Sequence, residues 1–253
     1  MNEVEVNMST QSGTGTSATR RLGALVIVLL VALTLFGLVF SAEDVVQGSS
    51  VRIMYVHVPT IWVAYMAFML TAVCSAVYLT GRSRSLAWDR VAGASGEIGV
   101  MFVAISLVTG SLWGRITWGT YWVWDARLTS TAFLFITYVG YLAVRRLGGT
   151  HRQRARRSSV LALLAVLEIP LVHFSVKLWR SLHQEASVAT TGSTDVELDG
   201  LMLFSLFLGL ITFTLLFVWM LLHRQRTMQL EDAFDNRGLD AAIEARRQEA
   251  GAR

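Results

Sequence analysis

Covalent cross-links are the first thing this sequence lacks. Its one cysteine, Cys74, lies in a hydrophobic run, so no disulfide forms within the chain and thiol exchange between its own residues is excluded. Proline is nearly absent, with Pro59 and Pro170 the only two, and no tract is of low complexity, which leaves little room for a long linker. Charge is scarce: Asp, Glu, Lys and Arg make up 16% of the residues, and Lys177 is the only lysine, so the net charge of +4 rests on arginine. In a chain this apolar, with 53% hydrophobic residues and a mean hydropathy of +0.50, that composition points to an integral membrane protein. An arginine excess then reflects topology before it reflects nucleic acid, and no nucleic-acid partner is expected.

What the sequence has in abundance is long apolar runs. Six of them, at 22–40, 53–79, 91–112, 128–144, 159–179 and 201–222, each approach the ~20 residues that a bilayer core requires. The first, preceded by Arg20 and Arg21 and followed by Ser41 and Ala42, resembles a cleaved signal peptide, but it exceeds the ~7–15 residues of a signal core, so an uncleaved helix is expected. The fold class predicted is an all-α integral membrane protein, a bundle of six transmembrane helices. Its membrane domain spans 22–222, between a disordered cytoplasmic N-terminus (1–21) and a charged cytoplasmic tail (223–253). Gly93, Gly96, Gly99 and Gly110 suit close packing of the third span. Glu97 reads as a paired or solvated carboxylate near a span end. Glu168 lies well inside the fifth span, either as a functional group or as a partner for backbone groups freed near Pro170.

Arginines set the orientation. They cluster before the first span, between the second and third, between the fourth and fifth, and after the sixth, whereas the other three loops are arginine-poor or acidic. The positive-inside rule therefore places both termini in the cytoplasm, and His57, His183 and the stretch 113–129 on the outer side. That stretch holds four of the eight tryptophans (Trp113, Trp118, Trp122 and Trp124), together with Tyr121, Asp125 and Arg127. Composition alone leaves two readings open, an aromatic belt at the membrane interface and a binding platform for a flat ligand.

Two imidazoles at similar depth beside such a platform suggest a flat, metal-containing ligand. Haem requires axial ligands for iron, aromatic or apolar faces for its ring and cations for its propionates. His57 and His183 are candidates for the first role, Trp113, Trp118, Trp122, Trp124 and Asp125 for the cradle, and Arg52 or Arg127 for the third. Each histidine alone could be a hydrogen-bonded interfacial residue, and His57 could belong to helix-start chemistry with Pro59. His173, deeper in the fifth span, is a candidate supporting donor or a packed core residue. Two rival classes are a respiratory cytochrome b-type electron-transfer subunit, which needs histidine pairs inside facing helices, and a transporter permease subunit, which needs polar residues deep in several spans.

The segment Trp118-Gly119-Thr120-Tyr121-Trp122-Val123-Trp124-Asp125-Ala126-Arg127-Leu128-Thr129-Ser130 resembles the signature of the haem-handling membrane proteins of cytochrome c biogenesis. Its ending from Trp124 to Thr129 is similar to that of the small haem exporter protein C members rather than the larger synthetase type. Arg52-Ile53-Met54-Tyr55-Val56-His57-Val58-Pro59 and the stretch from Pro170 through His173 to His183-Gln184 match in order, so the resemblance covers 45–184. It implies that His57 and His183 are the axial ligands of a transiently bound b-type haem, and that the platform cradles the haem on the outer face of a bacterial inner membrane. It implies delivery, rather than enzymatic turnover, to a membrane-anchored haem chaperone, whose covalent attachment of haem the protein would promote. It further implies an ABC-type ATPase, its membrane subunit and a small membrane accessory protein as partners. Lys177 and Arg180 make the approach to His183 more basic than the family pattern, and both terminal segments lie outside it.

Overall fold

The computed structural model describes residues 15–81, 84–183, 198 and 200–251. Among them, six helical segments are long and apolar enough to cross a membrane, and the chain is an all-α, multi-pass membrane protein. The Thr16 hydroxyl accepts from the Thr19 N–H at 3.2 Å and starts α1 (Ser17–Leu33), which continues as a π-helical turn over Thr34–Phe40. Helix thus begins inside the segment expected to be disordered, and 1–14 lie outside the described residues. Gly37 ends this span against Tyr55, whose ring a Cβ would approach to 3.0 Å, and Tyr55 shares a 2.5 Å hydrogen bond with Ser41.

A 3-10 turn (Ser49–Ile53) feeds directly into α2 (Met54–Thr80), so Pro59 lies inside a continuous helix. Its missing N–H leaves the Tyr55 carbonyl without the usual intrahelical donor. Both the Pro59 ring and that carbonyl face Gly209, where a Cβ would lie 3.0 Å from each. Helix α3 (Leu86–Thr117) pairs closely with α2, because small polar side chains bond across the seam. The Ser95 hydroxyl donates to the Ala67 carbonyl at 2.7 Å, and Thr71 to Ala92 at 3.2 Å. Of the glycines expected to pack helices closely, Gly99 makes room for Phe68, Gly96 for Tyr141 and Gly93 for Arg145. Phe68 in turn stacks on Tyr138, with centroids 3.5 Å apart, at the centre of the core.

The last turn of helix α4 (Ala126–Arg146) carries Arg145, which bonds Asp89 at 2.6 and 3.0 Å and the Ser158 hydroxyl at 3.2 Å. The fifth span departs from the expected 159–179. It starts earlier, at a capping box of Thr150 and Gln153, and breaks into α5 (His151–Ala165) and α6 (Glu168–Leu178). Pro170 is the physical reason: it cannot donate to the Val166 carbonyl, and short-range bonds from Leu167 to Leu164 and from Ile169 to Val166 bridge the gap. Glu168 at this break accepts from the Thr137 hydroxyl of α4 at 2.8 Å, while its other oxygen is buried without a partner.

The last helix, α7 (Gly200–Gly251), carries the sixth span and runs on without interruption through the charged segment expected as a solvated tail. Ion pairs along it tie that extension to the bundle: Arg224 to Glu97 at 2.5 Å and Asp232 to Arg90 at 3.1 Å. Trp219 donates to the Thr19 carbonyl at 3.1 Å, so the start of α1 and the extension of α7 share one end of the bundle.

Candidate functional site

The opposite end gathers the segments after α1 and α3 and residues 179–183 after α6. On the α2 side, His57 packs against α3 at Gly110, where a Cβ would stand 2.9 Å from its Cε1. Its Nδ1 is 3.1 Å from the Ser106 carbonyl and 3.1 Å from the Thr109 hydroxyl, whose own proton goes to the Ile105 carbonyl at 2.8 Å. A carbonyl only accepts, so Nδ1 carries the proton and the neutral ring keeps its lone pair on Nε2, the arrangement of a metal-ligating imidazole. Trp113 meets the ring edge-on at 5.8 Å, and its indole N–H donates to Gln47 Oε1 at 2.8 Å. Gln47 is set by a tight turn: Asp44 accepts from the Val46 and Gln47 N–H groups at 2.9 and 2.7 Å, and Gly48 takes φ +57°.

The tryptophan-rich segment folds back on the last turns of α3. Gly119 takes φ +77°, a conformation that favours glycine, and reverses the chain. Arg115 then donates to the Gly119 carbonyl at 2.6 Å and Ser111 to the Tyr121 carbonyl at 2.8 Å. Trp118 closes over Gly114, and Trp122 meets Trp124 edge-to-face at 5.5 Å. Trp124 is 81% exposed, which is far more than a packed core ring shows and suits a side chain that waits for a ligand or a membrane surface.

His183 enters from the end of the fifth span through a relay. The Ser181 hydroxyl donates to Asp125 Oδ2 at 2.5 Å, and the His183 N–H donates to the Ser181 oxygen at 3.1 Å. Asp125 Oδ1 meanwhile caps α4 by accepting from the Leu128 N–H at 2.8 Å. Asp125, grouped by sequence with the cradle, thus fastens the His183 segment to the platform. Trp118 stands 6.3 Å from the His183 ring, and His183 and Arg127 both lie within electrostatic reach of His57.

The arginines differ in their anchoring. Arg127 is tied to α6, donating to the Ser175 hydroxyl at 3.2 Å and the His173 carbonyl at 2.9 Å. Arg52 donates to the Ser41 carbonyl at 3.0 Å and keeps its Nε buried without a partner. His173, expected to be packed or supporting, is exposed with its ring against Phe174, and its backbone carbonyl rather than its imidazole supports Arg127. Sequence reasoning missed Gln47, Ser106, Thr109 and Ser181. Only Ser181 carried a usable signal, as a hydroxyl two residues before a candidate ligand.

The donor set fits haem. Among the described residues no three His, Cys, Asp or Glu side chains converge on a point, so a bare ion has no cage there, whereas a porphyrin brings its own equatorial nitrogens. The Trp122 indole N–H and the Arg52 Nε are both buried donors lacking acceptors, which ligand carboxylates would satisfy.

Comparison with known proteins gives a consistent grouping. The family model described as "Heme exporter protein C" matches residues 7–238. A "Heme exporter protein C" of Bradyrhizobium diazoefficiens is 41% identical over 191 residues, 76% of this chain and 71% of its own. One from Haemophilus influenzae is 36% identical over 208 residues, 82% and 83% of the two chains. A "Putative cytochrome c biosynthesis ccmC-like mitochondrial protein" of Arabidopsis thaliana is 38% identical over 151 residues, 60% and 56% of the two.

Proposed function

The chain belongs to the haem exporter protein C family, and from that membership we propose that it binds haem and delivers it to a membrane-anchored haem chaperone during c-type cytochrome maturation. The observation that carries this reading is the fixed tautomer of His57, whose Nε2 is left available beside a tryptophan platform and within electrostatic reach of His183. Haem is cargo here, a b-type group held transiently between His57 and His183, with Trp118, Trp122 and Trp124 against its ring. Arg52 and the Trp122 N–H are suited to its propionates, and Arg127 adds positive charge nearby.

The arginine distribution supports a platform facing outward, and the bacterial relatives support a bacterial inner-membrane setting. On this reading the partners are the chaperone, an ABC-type ATPase with its membrane subunit, and a small membrane accessory protein. Exposed aromatic surface on the platform suits a ligand that must leave as readily as it arrives, since a fully enclosed haem could not be handed on.

Co-purification tests the proposal. The full chain and a candidate haem chaperone, purified together with and without added haem, should form a complex that haem strengthens. A haem-independent complex, or haem that stays on this chain when the chaperone is present, would refute delivery.

A further inference from the structure

At the end of the bundle opposite the platform, α1 and α7 line a wide-open cavity of about 740 Å³. Its lining divides by chemistry. Gly23, Ala24, Ile27 and Met220 form an apolar wall, whereas Arg20 and His223 lie toward the rim. Arg20 precedes Ile27 by about two helical turns, or ~10 Å along the axis, so the basic and apolar parts follow one another along α1. Trp219 builds the cavity between the two helices: its indole N–H donates to the Thr19 carbonyl at 3.1 Å and its ring covers Gly23. His223 packs edge-on against Trp219 at 5.0 Å.

The rim keeps one cation without a carboxylate partner among the described residues. Arg20 is exposed and makes no ion pair among the described residues; one of its N–H groups goes to the Gly15 carbonyl at 3.2 Å. Arg224 also lines the cavity, but Glu97 and Glu231 bond it at 2.5 and 3.1 Å and match its charge, so Arg20 is the arginine of the lining that remains for an anion. The amino-terminal end of the 17-residue α1 opens at the same level and adds the positive end of its dipole.

We propose that this cavity binds an anionic phospholipid, with the phosphate at Arg20 and the start of α1 and an acyl chain along the exposed Ala24 and Ile27. A free anion does not account for the apolar wall, which belongs to a segment long and apolar enough to cross a membrane. Basic pockets between membrane helices are a recurrent form of lipid headgroup site. The lipid would staple α1 to α7, independently of what the platform carries.

The test uses the purified full chain, delipidated in detergent and titrated with phosphatidylglycerol or phosphatidylcholine of matched acyl chains, with adducts counted by native mass spectrometry. Phosphatidylglycerol should be retained about fivefold better than phosphatidylcholine, as one basic contact allows. Arg20→Ala should erase that preference, Arg20→Lys should keep it, and Ala24→Trp should reduce both lipids by filling the wall. Should Arg20→Ala lower helical content, Thr227→Glu, which puts a carboxylate at the rim, reads the same preference. Equal retention of the two lipids, an unchanged preference in Arg20→Ala, or full displacement by inorganic phosphate would overturn the proposal. Adducts seen only after removal of residues 1–14 would assign the cavity to that segment and overturn it too.

Discussion

The smallest parts that matter are hydroxyls. Ser181 connects Asp125 to the His183 backbone, and Thr109 with the Ser106 carbonyl fixes the His57 ring. Groups that orient a metal ligand without touching the metal are typically worth about 10–100-fold in affinity. Ser181→Ala should therefore weaken haem binding by about tenfold at the lower end of that range, while the two lost hydrogen bonds should cost about 2 kcal/mol of stability. Haem titration alongside thermal unfolding separates the two effects; a large loss of stability with unchanged affinity would make Ser181 a structural residue. The sequence showed the histidines but not Thr109, since Ser and Thr inside apolar spans ordinarily bond their own helix, as Thr212 and Thr214 do here.

Among the elements, α3 presents the clearest dependence of site on packing. Gly110 admits the His57 imidazole, as Gly96 and Gly99 admit aromatic rings nearer the core. Gly110→Val should push the imidazole aside and lower haem affinity by about 10–100-fold. Gly140→Ala, where a Cβ would meet nothing within 4 Å, should bind haem like the parent. Equal affinity in both variants would separate haem binding from the seat of His57. Span number was legible from apolar runs because the bilayer imposes one length on every crossing. Element ends were less so. The continuation of α7 past Leu222 is tied down by pairs such as Arg224 with Glu97 and Asp232 with Arg90, and long-range ion pairs leave no local pattern. The early start of α5 did leave one, the Thr150–Gln153 capping box, inside a loop read only for its arginines. The break before Glu168 was visible only as Pro170.

On the scale of the whole molecule, the bundle separates two ends: a paired, arginine-rich one shared by the start of α1 and the extension of α7, and an aromatic one bearing both candidate ligands. A reporter fused after Arg226 should read cytoplasmic and one inserted near Asp195, which lies outside the described residues, should read exterior. The reverse result would turn the platform to the wrong compartment for delivery. The central claim is that two histidines from distant segments meet on one iron, and the optical spectrum of haem-loaded protein tests it most directly. The parent should show a six-coordinate, low-spin spectrum. His57→Ala and His183→Ala should each lose it, and added imidazole should restore it, whereas His173→Ala should leave it unchanged. A low-spin spectrum that persists in both alanine variants and disappears in His173→Ala would contradict the account.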